Sequence, residues 1–239
     1  MSAEIQTSRS DLRRRPQAEE GALTILYEDD RIIVLDKPPG VVVHPTYKNT
    51  SGTLLNAVLW HVRGHAGVQP GILTRLDKNT SGLVIVALTP EVHALMQKHA
   101  ASGRVSKHYL ALVRGVPEPR TGRIDLPLAR DAGDRRRVVV TPAGASCETR
   151  YDVMGTDGGV SLVRCEPVTG RTHQIRVHLS ASGWPIVGDA VYGAPDDSIA
   201  RQALHAWRVS LPHPVTGDHL QFESPLPPDM LRLCPRRYL

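Results

Sequence analysis

The chain has 239 residues, of which 41% are hydrophobic, and it carries a formal net charge of +5. Its length suits one large domain or two small ones, and its basic character favours a polyanionic partner such as nucleic acid. The three cysteines form no CxxC pair, the N-terminus lacks an apolar run, and the longest apolar stretch is too short to span a bilayer. These features argue against secretion and membrane insertion, and we expect a cytoplasmic protein.

The N-terminal segment is polar and contains the basic run RRRP at residues 13–16. A segment with so few apolar side chains cannot bury enough surface to fold. We therefore predict a disordered basic tail over residues 1–20 and a folded unit over residues 21–239. A tail that is merely solvated and a tail that touches RNA are both open interpretations.

Short strands are expected next, because residues 23–28 and 31–36 are rich in apolar and β-branched side chains and flank an acidic turn. Residues 41–43 are three valines that should resume the second strand. His44 follows, directly before a proline, and either faces a cleft or is a structural histidine. Residues 53–64 carry apolar side chains at helical spacing and predict the first helix.

The stretch TRLDKNTSG at residues 74–82 joins two apolar segments. The unbroken apolar run that follows, at residues 83–88, predicts a strand buried on both faces. The turn-forming residues after Asp77 place this carboxylate in a tight turn at the edge of the sheet, two residues after Arg75. Two interpretations follow: Asp77 closes a turn and pairs with Arg75, or it is a rigidly held nucleophile or base.

A helix and a strand are clearly indicated in the middle of the chain. The helix begins with a capping threonine and a proline at residues 89–90. It should run to Gly103, because glycine suits the position just after a helix. Residues 105–114 alternate as a strand, which places Lys107 and Tyr109 on the same face.

The region from residue 123 to residue 140 is turn-rich and ends in three valines. This pattern suggests a hairpin arm that exposes arginines. The arm either faces RNA phosphates or is a solvated edge of the sheet. The arginines are Arg130, Arg135, Arg136 and Arg137.

A second dense polar stretch reads TGRTHQIRVHL at residues 169–179. Thr172 is expected to cap a helix on which His173 and Arg176 share one side, with Arg171 near the helix start. Three donors near one helix start suit an anion, either a carboxylate or a phosphate. Further strands are predicted at residues 145–154, 160–166, 203–211 and 219–222.

Signatures of several enzyme classes are absent from the sequence. It has no glycine-rich dinucleotide or ATP motif and no Gly-x-Ser-x-Gly elbow. His61 and His65 are spaced for a shared metal, but no third ligand follows at suitable spacing. A single well-placed acid also differs from the carboxylate pair of ordinary glycosidases. Nothing in the sequence therefore points to a dinucleotide, to ATP or to a metal site.

Two motifs in this order are specific enough to suggest a family. They are RLDKNTSG at residues 75–82, which fits the pattern RLDxxTSG, and GRTHQIRVHL at residues 170–179, followed by GDAVYG at residues 188–193. Together they resemble the RluA-type pseudouridine synthases, which isomerise uridine to pseudouridine in rRNA or tRNA. Further matches lie at residues 37–41, 43–45, 107–115 and 204–207.

The resemblance covers about residues 22 to 230 and implies a fold. That fold is α+β, with a mixed, mainly antiparallel central sheet, flanking helices and one cleft. Members of the family often carry an N-terminal S4-like RNA-binding domain, and this chain resembles a member that consists of the catalytic domain alone. The resemblance implies RNA, either rRNA or tRNA, as the partner and no cofactor or metal, and we expect a monomer.

The resemblance also implies roles for the matched residues. Asp77 would be the catalytic aspartate, Arg176 its basic partner, and Tyr109 the tyrosine that lies against the uracil. Arg75 would contact the flipped nucleotide or fill its vacated place. The expected substrate-binding residues are Arg75, Arg171, His173 and His44.

The sequence leaves the first chemical step open: Asp77 attacks C1′ of the ribose or removes the 2′ proton. Two other functions are conceivable. A non-catalytic RNA-binding protein would not need intact Asp77, Tyr109 and Arg176. An N-glycosidase that releases uracil to water would be expected to show a second marked carboxylate.

Overall fold

A mixed ten-stranded sheet forms the centre of the structure. The computed structural model describes residues 16–46 and 49–235. The strands are β1 (Ile25–Glu28), β2 (Ile32–Lys37), β3 (Gly71–Ile72), β4 (Ser81–Ala87), β5 (Ser106–Arg114), β6 (Thr121–Asp125), β7 (Leu128–Arg130), β8 (Val138–Val140), β9 (Glu148–Asp157), β10 (Val160–Pro167), β11 (Leu204–Pro212) and β12 (His219–Glu223). The helices are α1 (Leu54–His61), α2 (Pro90–Ala101), α3 (Gln174–Ala181) and α4 (Pro228–Leu231).

The large sheet has the order β1-β2-β4-β11-β5-β10-β9-β6, with β3 paired to β4 and β12 paired to β11. Its neighbouring strands are antiparallel except β4 and β11, which run parallel where Ser81 faces His205 and Gly82 faces Ala206. This parallel contact joins the N-terminal and C-terminal halves of the sheet. The predicted fold class, α+β with a mixed, mainly antiparallel sheet, is confirmed.

Strands β7 and β8 form a separate two-stranded sheet. They correspond to the hairpin arm predicted between residues 123 and 140, and its four arginines are exposed. Arg136 pairs with Asp134 inside the arm. The arm therefore exposes positive charge to solvent beside the main sheet. This fits both an arm that faces RNA phosphates and a solvated edge of the sheet.

Local capping signals explain where α1 and α2 begin. The side chain of Thr89 accepts a hydrogen bond from the backbone of Val92, and the helix continues to Ala101, close to the predicted end at Gly103. Thr53 and Asn56 form a reciprocal capping box at the start of α1. That helix ends three residues earlier than the pattern predicts.

The prediction that residues 41–43 resume a strand is wrong. The backbone carbonyls of Val42 and Val43 instead accept hydrogen bonds from Leu54 and Leu55, at 2.9 and 3.1 Å. These donors belong to the first turn of α1, where backbone N–H groups have no partner inside the helix. The valine segment therefore supplies hydrogen-bond acceptors to the first turn of α1 and does not pair as a strand.

Residues 16–20, which the sequence assigns to the tail, contact the region of α1. Gln17 accepts a hydrogen bond from the Asn56 side chain at 2.6 Å, and the Glu19 carboxylate accepts one from the backbone of Gly52 at 2.7 Å. The first 15 residues lie outside the described residues, so a disordered tail there stays a prediction.

Two hydrophobic clusters lie on the two halves of the sheet. One packs α1 and α2 against β2 and β4, and the other packs α3 against β5 and β10. Strand β11 contributes to both clusters, with Ala206, Val209 and Leu211 in the first and Leu204 in the second. Within the described residues, no helix has the length and apolarity needed to cross a membrane.

Candidate active site

Asp77 lies in the loop that leads from β3 into β4. The loop closes through a backbone hydrogen bond of 3.1 Å from Thr80 to the Asp77 carbonyl. Buried side chains from distant segments fix the residues that follow. Lys37 donates to the carbonyl of Lys78 at 3.0 Å, and Arg201 donates to the carbonyl of Asn79 at 3.2 Å.

The side chains of Thr80 and Ser81 are held in the same way. Gln202 donates to the Thr80 hydroxyl at 3.2 Å, and the Ser81 hydroxyl lies 2.9 Å from Nδ1 of His205. Because the other nitrogen of His205 faces a backbone carbonyl and must donate, Nδ1 accepts from Ser81. We refer to residues 77–81 as the Asp77 turn, and its rigidity comes from these long-range hydrogen bonds.

Lys37 is fully buried, yet all three of its ammonium protons have acceptors. They are the carbonyls of Pro38 at 2.7 Å, Val41 at 3.0 Å and Lys78 at 3.0 Å. Burial lowers the pKa of Lys37 to about 8, so the side chain is still charged at neutral pH. Lys37 therefore links the KPPGV segment to the Asp77 turn.

Gly82 ends the motif for a steric reason. Its φ angle is +106°, and a Cβ atom at this position would lie 2.2 Å from the carbonyl oxygen of Ala206. No other residue can bring β4 this close to β11 without moving the backbone. The glycine thus allows the parallel contact that aligns the Asp77 turn with the second half of the sheet.

Arg176 of α3 connects Asp77 to a second acid. Its Nη1 donates to Oδ2 of Asp77 at 2.8 Å, while Nε and Nη2 donate to the two oxygens of Asp189 at 2.7 and 2.9 Å. The Arg176 side chain is only 6% exposed. Although burial alone would lower the pKa of Arg176, the Asp189 and Asp77 carboxylates raise it, so the guanidinium stays charged.

Asp189 is the buried anchor of this arrangement. It accepts hydrogen bonds from Arg176 and also from the backbones of Val191 and Tyr192, at 3.0 and 3.2 Å. Burial would raise its pKa, but the hydrogen bonds and charge of Arg176 lower it below the usual value. Asp189 is therefore ionised and holds Arg176 in the orientation that reaches Asp77.

His173 approaches the same carboxylate from the other side. Its Nε2 lies 3.7 Å from Oδ1 of Asp77, and its Nδ1 lies 2.7 Å from the hydroxyl of Tyr192. Tyr192 accepts a hydrogen bond from the backbone of Val138, so its own proton is available to Nδ1. Burial lowers the pKa of His173, which leaves a neutral ring whose remaining proton, on Nε2, faces Asp77.

The predicted cap of α3 is wrong. The helix starts at Gln174, its N-cap is His173 in a left-handed conformation with φ of 54°, and no side chain caps it. Thr172 is exposed. The Gln174 side chain instead accepts hydrogen bonds from the Arg171 backbone and the Thr169 hydroxyl, both at 2.9 Å. The Gln174 side chain thus ties the first residue of the helix to the segment before it, while no side chain caps the first turn.

A cavity of about 80 Å³ opens beside Asp77. This is well below the roughly 300–1,000 Å³ of sites for drug-sized ligands and suits a single ring. Leu76, Ile175 and Leu204 supply apolar walls. Its polar walls are formed by Asp77, Lys107, Tyr109, Arg171, His173 and Arg176.

A family model described as RNA pseudouridylate synthase matches residues 31–181. The chain belongs to this family. The resemblance suggested by the two motifs is thereby confirmed, and the family's activity is an isomerisation within RNA. Both motifs, at residues 75–82 and 170–179, lie inside the matched range, and residues of both line the cavity.

Relatives and solved structures of the family align over most of the chain. It is 46% identical over 227 residues to ribosomal large subunit pseudouridine synthase D of Nitrosomonas europaea, covering 91% of this chain and 66% of that protein. It is 43% identical over 231 residues to the protein of the same name in Pseudomonas aeruginosa, covering 90% and 72%. The structure of human RNA pseudouridylate synthase domain containing 4 superposes with a TM-score of 0.71 at 26% identity, covering 87% and 90%.

The chain brings together five of the seven residues that the sequence singled out. Four of them surround Asp77 in the cavity wall: Tyr109, Arg171, His173 and Arg176. Arg75 and His44 are exposed and do not line the cavity, and Nδ1 of His44 lies 3.0 Å from its neighbouring proline carbonyl. Contacts of these two residues with substrate stay predictions.

Three residues of the site were not singled out as functional from the sequence. Asp189 and Tyr192 belong to the GDAVYG motif, which supports the family resemblance but predicts no role for either residue. An acid and a tyrosine within a motif that is shared with the family were the available signal. Lys107 was assigned only to a strand face, although it lines the cavity two positions before Tyr109.

Proposed function

We propose that the chain isomerises a uridine of ribosomal RNA to pseudouridine, with Asp77 as the catalytic carboxylate. The observation that carries the proposal is the position of this carboxylate. It lies at the wall of a ring-sized cavity, 25% exposed, and Arg176 fixes one of its oxygens. Ribosomal RNA is the favoured substrate because relatives over 40% identical carry the name of a ribosomal large subunit enzyme.

The cavity can accept a uracil only after the nucleotide leaves its helix. Flipping a base out costs a few kcal/mol, and phosphate contacts offset that cost. The exposed arginines of the β7–β8 arm are suited to such contacts. Once the base is inside, Asp77 attacks C1′ or removes the 2′ proton, the N1–C1′ bond breaks, and the uracil turns so that C5 bonds to C1′.

Tyr109 is proposed to lie against the uracil ring. Burial, together with the nearby charge of Asp77, raises its pKa, so the hydroxyl keeps its proton at neutral pH. It can therefore donate a hydrogen bond but is poorly suited to remove the C5 proton. Arg171 and His173 are proposed to bind the substrate, since both line the cavity.

The test is to map pseudouridine in ribosomal RNA from cells with and without the chain, and to repeat the reaction with purified protein. Asp77→Asn should abolish the reaction while RNA affinity stays within about threefold, because affinity comes mainly from phosphate contacts. Asp157→Asn, at the exposed last residue of β9, is the matched control. Turnover by Asp77→Asn within tenfold of wild type would remove Asp77 from the mechanism.

RNA with 5-fluorouridine at the target separates this function from its alternatives. A synthase breaks and remakes the bond to C1′ but cannot lose fluorine from C5 as a proton, so a fluorinated product stays attached to the RNA. A glycosidase releases free 5-fluorouracil, and a binding protein returns the RNA unchanged. Activity on tRNA, a monomeric state and a cytoplasmic location stay predictions.

A further inference from the structure

Lys107 is a cavity residue to which the proposed mechanism gives no task. It lies on the same face of β5 as Tyr109, and both side chains line the cavity beside Asp77. Its side chain is partly buried. In the described part of the chain, nothing hydrogen-bonds to its ammonium group or forms an ion pair with it.

Partial burial of an ammonium group that has no protein acceptor is unfavourable for folding. Burial lowers the pKa of Lys107, and no carboxylate among the described residues forms an ion pair with it. Lys37 shows the contrast, because it is buried more deeply and donates to three carbonyls. The three carbonyl acceptors account for the burial of Lys37. Among the described residues none accepts from Lys107, so its N–H donors can bind a molecule that enters the cavity.

The other basic groups of the cavity are engaged or exposed. Arg176 uses its guanidinium on Asp77 and Asp189, and His173 is neutral and bonded to Tyr192. Arg171 has an exposed side chain. Among the described residues that line the cavity, Lys107 is thus the partly buried cation whose donors are unused.

The proposed reaction creates negative charge inside this cavity. When the N1–C1′ bond breaks, its electron pair stays on the uracil and spreads over N1, O2 and O4. A preorganised donor in a cavity shielded from water is most effective where charge develops in this way. Resting on the proposed function, we propose that Lys107 donates a hydrogen bond to a carbonyl oxygen of the target uracil and stabilises the departing uracil anion.

Lys107 keeps its proton throughout this sequence. The uracil anion uses its electron pair to form the C5–C1′ bond, a proton then leaves C5, and N1 takes one up. The net change is an isomerisation with no oxidant or reductant. Lys107 therefore acts on the rate of bond cleavage more than on RNA binding, which depends on phosphate contacts outside the cavity.

Lys107→Met tests the proposal, with Lys98→Met on the exposed surface of α2 as the matched control. In single-turnover reactions, Lys107→Met should lower the rate by about 10²-fold or more, as removal of one oxyanion donor does. Its RNA affinity should stay within about threefold of wild type. Lys98→Met should match wild type in both. A Lys107→Met rate within threefold of wild type would overturn the proposal.

The leaving group supplies a second, independent measurement. Fluorine at C5 stabilises the uracil anion without help from the protein. The rate deficit of Lys107→Met in N1–C1′ cleavage should therefore be smaller on 5-fluorouridine RNA than on uridine RNA. Equal deficits on the two substrates would show that Lys107 does not stabilise the departing ring.

Thermal unfolding separates this role from a structural one. Because the cation has no partner, Lys107→Met should leave the midpoint temperature unchanged or raise it. A lower midpoint or failure to fold would assign Lys107 to folding and overturn the proposal. If wild type itself modified no uridine, the proposed function would fail; if wild type were active and Lys107→Met equally so, only this inference would fail.

Discussion

Replacing Arg176 by methionine should remove the guanidinium from both of its carboxylate partners. The heavier loss is at Asp189, whose side chain is 1% exposed and would become a buried charge with only two backbone donors. Breaking a buried pair by removing one partner costs about 3–5 kcal/mol. The half-buried contact with Asp77 adds about 0–1 kcal/mol after solvent screening. We expect a loss of about 4 kcal/mol from a total stability of about 5–15 kcal/mol.

Urea unfolding at pH 7 measures this loss directly. Arg171→Met is the matched control, because Arg171 is an exposed arginine three residues before the start of α3 and should change stability by no more than about 0.5 kcal/mol. The double variant Arg176→Met, Asp189→Asn should recover much of the loss. Its asparagine oxygen still accepts from Val191 and Tyr192, while the uncompensated charge is gone.

The reasoning would be refuted if Arg176→Met lost less than about 1 kcal/mol, or if the double variant were no more stable than Arg176→Met. The single variant Asp189→Asn tests whether Asp189 positions Arg176. Asp189 does not line the cavity, so a fall in turnover with unchanged RNA affinity would reflect a misdirected Arg176. Unchanged turnover would show that Arg176 is held by other contacts.

Three further predictions concern Tyr109, Gly82 and acid stability. Tyr109→Phe should lower single-turnover rates by less than about tenfold, because its hydroxyl stays protonated; a fall of about 10²-fold or more would instead indicate proton transfer. Gly82→Ala should lower the free energy of unfolding by at least about 3 kcal/mol. Gly40→Ala, which is also at positive φ but has open space around it, should lower it by about 1–2 kcal/mol. Equal losses in chemical unfolding would contradict the steric argument. Asp189 has a lowered pKa, so its contribution to stability is present above the unfolded value of about 3.9 and is lost as pH falls below it. The loss of folded protein with falling pH, followed by circular dichroism, should be steep below this value. It should be less steep in the Asp189→Asn variant.

Local patterns in the sequence predicted the elements whose signals are local. The cap and proline at the start of α2 and the apolar run of β4 give structure from neighbouring residues alone. The same reasoning failed at residues 41–43, because those carbonyls are used by a helix start eleven or more residues later. It failed at Thr172 because α3 starts later, at Gln174, with His173 in a left-handed conformation as its N-cap.

The pairing of Asp77 with Arg176 spans 99 residues and could not come from periodicity. It was predicted only through the family resemblance, and the distance of 2.8 Å agrees with it. A functional role for Asp189 was not predicted, because its burial and its pairing with Arg176 are properties of the folded chain. For the same reason the isolation of Lys107 is visible only once the surrounding side chains are in place.

The hydrogen bonds of the Asp77 turn also set the order in which the site can form during synthesis. Arg201 and Gln202 each bond to a residue 122 positions earlier, and His205 to one 124 positions earlier. A ribosome that has just completed the RLDKNTSG motif has therefore made Asp77 but none of these three hydrogen-bond partners. Activity should begin only after β11 has left the ribosome and docked against β4, so a chain truncated before residue 201 would contain both family motifs and remain inactive.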